Sequence, residues 1–255
     1  MIRPTTSSPL PPELKKLLNV FGNNFWQFDA TGIAHMLSPT VTPPSNLVDT
    51  AYSLLEQKPS DWPKGLDDSS FHEPLVDSLN SFLDASHRAL DLSSPLIIER
   101  DARWCTGLRF MQLGDGCCKT HGQDYGLVKR EVVGGVSFWG TGQQVDLAIP
   151  VRLGEDWPAA VAQAARSSQI LFAAHPIRKF GFIIVFRHTT LELRFLIVHR
   201  GGATVSKPLS VVEEQGKKDI LRVFLSMLMW RTEEDAGIPN SFRGSLSVNI
   251  LAGAL

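Results

Sequence analysis

Apolar residues recur along this chain with two different periods, and the changes between them mark out its elements. In HEPLVDSLNSFLDASHRAL, from His72, the side chains of Leu75, Leu79, Phe82, Leu83 and Leu90 fall three or four residues apart. That is the spacing of one helix face, with Pro74 in the first turn, where a missing N–H costs nothing. The period then drops to two. PLIIE around Leu96 to Glu99, GLRFMQL from Gly107, LVKREVVGGVSF from Leu127 and QVDLAIPVRL from Gln144 read as strands. Pro150 puts the last of these at an edge or a bulge, because proline cannot donate to a ladder. A helical period returns in DWPAAVAQAARSSQILFAAH, which starts at Asp156, carries Pro158 in its first turn and turns Val161, Ala165, Ile170 and Leu171 inward. Three strands follow, FGFIIVFR from Phe180, LELRFLIVH from Leu191 and ATVSKPLSVV from Ala203, joined as hairpins at His188 to Thr190 and at Gly201-Gly202. A closing helix, KKDILRVFLSMLMW from Lys217, carries Ile220, Phe224, Leu228 and Trp230.

Residues 1–63 read differently. Pro4, Pro9, Pro11, Pro12, Pro39, Pro43, Pro44, Pro59 and Pro63 leave room only for short helices, Glu13 to Phe21 and a second begun by Ser45 as N-cap, with Leu47, Ala51, Leu54 and Leu55 on one face. These predict an N-terminal helical extension docked on something larger, an α/β (α+β) domain over 64–240 and a tail over 241–255. The order of elements predicts one central mixed sheet flanked by helices.

Composition narrows the possible roles. With 255 residues, 43% of them hydrophobic and 20% charged, the chain can bury one sizeable core. Its net charge of -1 supplies no global field for a nucleic acid or an anionic membrane, although a local basic groove remains compatible with it. No run approaches the roughly 18 apolar residues of a spanning helix, and MIRPTTSSPLPPEL lacks the apolar centre of a signal peptide. The expectation is a protein without a membrane partner, in the cytoplasm or nucleus. Cys105, Cys117 and Cys118 agree with a reducing compartment, since one is left over from any pairing.

Several chemistries lack their residues. No G-x-x-x-x-G-K-[ST] or helix-opening G-x-G-x-x-G is present, and Val198-His199-Arg200-Gly201 lacks the Asp that a kinase catalytic loop requires. Cys117, Cys118 and His121 have no second ligand pair with which to close a zinc site, and no G-x-S-x-G elbow supports a serine nucleophile. The six tryptophans are scattered over unrelated elements, which predicts packing rather than a base-stacking platform. What remains is a layout: a long helix, strands with acidic residues, then a strand and an alanine-rich helix, as in nucleases whose strand carboxylates hold Mg²⁺ while a lysine helps activate water. On QVDLAIPVRL the place for an acid followed two later by lysine reads Arg152-Leu153-Gly154. A guanidinium there repels a divalent ion.

The stretch from about 127 to 240 resembles the region upstream of the kinase domain in the fungal-type protein kinases of mushroom-forming fungi. The resemblance rests on Phe172-Ala173-Ala174-His175-Pro176-Ile177-Arg178-Lys179-Phe180 beside a family pattern like F-A-x-Q-P-x-R-R-F, on His199-Arg200-Gly201-Gly202 and on Ser206-Lys207-Pro208-Leu209. It implies a degenerate PD-(D/E)XK, restriction-endonuclease-like fold. Glu73 would then stand at the structural acid, Gln163 at the Gln of a Q-x-x-x-Y motif with Ser167 in place of Tyr, and Asp115 near the proline-aspartate position. The residues after Pro239 are too few for a kinase domain of roughly 250 residues.

Two roles follow as expectations. The first is a non-catalytic binding or regulatory module, without a cofactor, whose partner is a protein. The alternative is a Mg²⁺-dependent nuclease in which Glu73, Asp115, Asp146 and Glu155 converge, with Gln163 beside them. A basic patch of Arg178, Lys179, Arg187, Arg194 and Arg200 is the candidate anion surface, including for nucleic acid, and strand alternation puts Arg194 and Arg200 on one sheet face.

Overall fold

A computed structural model of the chain describes residues 24–38, 41–58, 61–63, 72–93, 109–111, 135–140, 143–145, 151–153, 157, 164, 168, 172, 178–232 and 234–237. Local chemistry accounts for where its helices begin. The Asp29 carboxylate accepts the N–H of Gly32 at 2.8 Å and so caps α1 (Ala30–Leu37), satisfying a donor that has no partner inside the helix. The second helix, α2 (Ser45–Glu56), starts one residue earlier than expected. Ser45 is its first helical residue, and the extended Pro44 precedes it, its carbonyl accepting from Leu47 and Val48 at 3.0 and 3.2 Å. A 22-residue helix, α3 (His72–Ser93), buries Leu75, Leu79, Phe82, Leu83 and Leu90, as their spacing predicts. The last helix, α4 (Glu214–Leu228), begins three residues before the expected Lys217. Ser210 Oγ accepts the N–H groups of Val212 and Glu213 at 3.4 and 3.1 Å, turning the chain into the helix before its apolar period begins.

The strands are β1 (Phe25–Phe28), β2 (Arg109–Met111), β3 (Gly135–Gly140), β4 (Gln143–Val145), β5 (Val151–Leu153), β6 (Phe180–Arg187), β7 (Glu192–His199), β8 (Gly202–Ser206) and β9 (Leu209–Ser210). The central sheet is mixed, in the order β1-β8-β7-β6-β5, with β9 beside the start of β7. Its outer pairs, β1 with β8 and β5 with β6, are parallel, while β6, β7 and β8 are antiparallel. A second, antiparallel sheet joins β2, β3 and β4. The strand expected over Gln144 to Leu153 therefore appears as β4 and β5, with Pro150 outside the described residues. The expected helix Glu13 to Phe21 and the strand at Leu96 to Glu99 also lie outside them.

The strand predicted from Ala203 is broken, and the break has a physical cause. β8 pairs with Leu196 opposite Val205, yet β9 resumes with Leu193 opposite Leu209, so three residues on one strand face two on the other. This is a bulge at Ser206, Lys207 and Pro208, where a proline without N–H is tolerated. The Ser206 hydroxyl fills the gap, accepting from the N–H of Phe195 at 3.0 Å and donating to the Lys207 carbonyl at 2.8 Å.

Residues 25–56, expected as helices docked on a larger domain, include a strand of the central sheet. β1 lies parallel to β8 with Phe25 opposite Ala203, and Ala203 N donates to the Asn24 carbonyl at 2.9 Å. Gly202 makes that approach possible, because at φ +150° any Cβ on it would stand 2.2 Å from the same oxygen. One cluster unites Ile33, Leu37, Leu47 and Leu55 with Phe82, Phe186, Phe195 and Phe224, so α1 and α2 belong to the main core.

Helix α4 is amphipathic over its first half, with Lys217, Lys218, Asp219 and Arg222 half-buried, and is buried on all sides from Val223 to Leu228. Its polar start is tied to α2: Lys217 pairs with Glu56 at 2.8 Å, and Lys218 pairs with Asp49 at 2.9 Å and Glu214 at 3.0 Å. Its far end is tied to α1 by buried Trp230, whose indole N–H donates to the Leu37 carbonyl at 2.8 Å. Replacing Trp230 by Phe should cost about 2–3 kcal/mol of unfolding free energy, from the lost volume and the carbonyl left without a donor. Gly216 is pressed so closely on β9 that a Cβ would lie 2.1 Å from the Ser210 carbonyl oxygen. Gly216→Ala should cost more than about 3 kcal/mol in a denaturant titration, since neither backbone can yield; a loss below about 1 kcal/mol would mean that β9 is free to shift.

Candidate functional site

The two faces of the central sheet meet different surroundings, and alternation along β6 and β7 sorts their side chains between them. On the first face Phe182, Ile184, Phe186, Leu193, Phe195 and Ile197 join the core cluster of α1 to α4. On the second, Ile183, Val185, Leu196 and Val198 cluster with Ala203, Val205 and Ala164, and Phe25, Trp157 and Phe172 pack against them. Trp157, Ala164, Ser168 and Phe172 are each helical, in agreement with the helix expected from Asp156, and Ser168 Oγ donates to the Ala164 carbonyl at 3.0 Å.

Arginine alternates with these apolar residues on the second face. Arg194 stands opposite Val185, and on the other side of Val185 stands Arg152, so both arginine positions share one cross-strand row. The Arg194 guanidinium lies 4.1 Å above the centre of the Trp157 ring. A cation over an indole face is attracted by the ring's negative centre, the more so where water is excluded. Partial burial pulls the Arg194 pKa down; the adjacent Glu192 pulls it up and Arg187 lowers it again. Its Nε is buried without a hydrogen-bond partner. Six residues on, in the turn just past the end of β7, Arg200 sits 5.8 Å from the Phe172 ring centre. Arg194 and Arg200 thus share a face, as alternation predicts, but each rests on its own aromatic ring.

The other members of the basic patch go elsewhere. Lys179 forms an exposed ion pair with Glu234 and donates its backbone N–H to the Gly237 carbonyl at 2.7 Å. Arg187 Nε donates to Thr189 Oγ1 at 3.2 Å, at the hairpin turn. Arg178, expected on a solvated surface, is only 2% exposed. Burial alone pushes its pKa down from the ordinary arginine value to about 10. The charged form is therefore disfavoured in the folded chain at every pH below about 10, a penalty of about 3 kcal/mol. It fades only as pH rises from there towards the unfolded value.

The acidic set fares differently. Glu73 is the second residue of α3. Asp115, Asp146, Glu155, Gln163 and Ser167 lie outside the described residues, as do all three cysteines. Among the described residues no group of three or more His, Cys, Asp or Glu side chains converges as metal ligands. The row Arg152, Val185, Arg194 has no oxygen ligand of its own for Mg²⁺. No helix of the described residues is long and apolar enough to cross a membrane.

Sequence reasoning missed the partnership of Trp157 with Arg194, because 37 residues separate them and only the sheet register brings them together. It also passed over Asp219 on α4, which accepts from Gln215 Nε2 at 3.1 Å. Burial raises its pKa above 3.8, opposed by the Gln215 hydrogen bond and Arg222 and reinforced by Asp29. A carboxyl raised in the folded state binds its proton more tightly there, so it weakens the fold as pH climbs from the unfolded value through the raised one. Asp219→Asn should accordingly raise Tm at pH 7 by about 1–2 °C, after allowance for solvent screening, with the gain shrinking towards pH 4. For the stacked pair, a double-mutant cycle of Arg194→Met and Trp157→Leu should return a coupling of about 0.5–2 kcal/mol in thermal melts. No protein-family model, no curated protein and no solved structure matches this chain, so its function is argued from these side chains alone.

Proposed function

We propose that this chain is a non-catalytic binding or regulatory module, built on a degenerate restriction-endonuclease-like scaffold akin to the non-kinase part of fungal-type protein kinases. The observation that carries the reading is the row Arg152, Val185, Arg194 on the second sheet face. In a working nuclease of this layout that strand would bring an acid and then a lysine to the metal. Here the sequence has Arg152 at that position, and an arginine offers no lone pair with which to ligate a divalent ion.

The same face suits an anionic surface on a protein partner. Arg194 is half-buried and held in one orientation by Trp157, so little side-chain freedom is lost when a carboxylate binds it. Arg200 is exposed at the far end of the strand and offers a second contact. Duplex DNA would bring a denser charge than this near-neutral chain is built to meet.

Titration calorimetry with Mg²⁺ and Mn²⁺, together with a plasmid-nicking assay, tests the loss of chemistry. The expected result is no saturable metal binding and no nicking above a buffer control. Metal-dependent nicking that disappears in Asp146→Asn or Glu73→Gln would overturn the reading. Tight duplex binding whose affinity falls steeply with salt would replace the protein partner by nucleic acid.

A further inference from the structure

A guanidinium is charged throughout the physiological pH range, and the edge formed by Nε and Nη2 presents two parallel N–H donors. That edge matches the two oxygens of a carboxylate, and in protein interiors an arginine without such a partner is rare and costly. Arg178 is 2% exposed, and its Nε and Nη2 are both buried with no hydrogen-bond partner among the described residues. The two unpartnered atoms are therefore the two that make up one side-on fork.

The acidic groups of the turn at 234–237 are already committed. Glu234 pairs with Lys179, and Asp235 Oδ2 accepts the N–H groups of Arg231 and Thr232 at 2.9 and 3.0 Å. The turn that carries them lies against the peptide joining Arg178 to Lys179: Lys179 N donates to the Gly237 carbonyl, and Gly237 N donates to the Glu234 carbonyl at 2.9 Å. Gly237, at φ +82°, is close enough to Phe180 that a Cβ would stand 2.9 Å from the ring. The turn is held to the start of β6 by one backbone hydrogen bond and one ion pair whose side chains are 51% and 53% exposed, and its Ala236 is buried in the main core.

We propose that Arg178 is the centre of an internal anion site, holding a small monocarboxylate side-on through Nε and Nη2. The ligand is small because a 2% exposed fork admits no protein side chain from outside without displacing the core around it. It carries one negative charge because a single buried guanidinium neutralises one, and a phosphate dianion would leave an excess buried charge. The lowered pKa of Arg178, which burial causes, agrees. This site is separate from the Arg152–Arg194 row and does not depend on what that row binds.

The test uses the full chain, dialysed free of carboxylates and phosphate, melted in rising concentrations of sodium acetate or formate, with sodium phosphate and sodium chloride at matched ionic strength. Acetate or formate should raise Tm saturably, by about 5 °C at a hundred times the dissociation constant, and chloride should not. Arg178→Met, which keeps the stem and removes the charge, should melt higher than the parent chain in chloride and should lose the carboxylate response. A response that Arg178→Met keeps, or one reproduced by chloride, overturns the site. Stabilisation by phosphate but not acetate overturns the carboxylate assignment. Should the variant fail to fold, the ¹⁵N-edited arginine Nε–H spectrum of the parent chain serves instead. One buried resonance should shift saturably with acetate, and the absence of any such resonance overturns the proposal.

Discussion

The packing of Phe224 edge-on to both Phe195 and Phe82 is the contact that joins the first face of the central sheet to α4 and α3. Its ring lies 5.7 Å from Phe195 on the sheet and 6.4 Å from Phe82 on α3, in T-shaped arrangements that suit the aromatic quadrupole. From Val223 to Leu228 every residue of α4 is buried, so that half of the helix has to be wrapped. The sheet takes one side, α3 another, and α1 and α2 the rest. Close approach sets the position of the helix at each end: Gly216 against Ser210 at its start, and Trp230 reaching the Leu37 carbonyl just after its finish.

That arrangement leaves the opposite sheet face for a different kind of chemistry. The first face is aromatic and dry, with Phe182 and Phe195 stacked at 5.6 Å. The second face carries smaller aliphatic residues interrupted by arginine, and aromatic rings from the covering helical residues lie flat beneath two guanidinium groups. A guanidinium can pack on a ring because it is weakly hydrated and planar, which lets a charged residue occupy a partly buried row that lysine would leave. Function is read here from those arginines rather than from the fold, since mixed sheets with flanking helices host many unrelated activities.

Arg178 and Arg194 show why the basic patch could not be read as one surface. Both are arginines beside apolar strands, and nothing in the neighbouring letters separates them. One is desolvated at the entrance to β6, without an acceptor among the described residues for its side-on fork, and the other is braced on Trp157. Whether a charge is solvated depends on what the rest of the chain places over it, and that covering comes from residues far away in sequence.

Period and turn chemistry alone determined α2, α3, α4, β6 and β7, because each is a run whose local spacing already separates a wet side from a dry one. They also determined that Arg194 and Arg200 share a face, which follows from strand alternation. Tertiary structure decided the rest. FWQF is too short and too uniformly apolar to declare itself a strand, and β1 exists because β8, some 175 residues later, offers it a parallel edge. The bulge at Ser206, the pairing of Arg152 with the Arg194 row and the burial of Arg178 have the same origin. Each depends on hydrogen-bond register between distant segments, and register is a property of the assembled sheet that no local pattern contains.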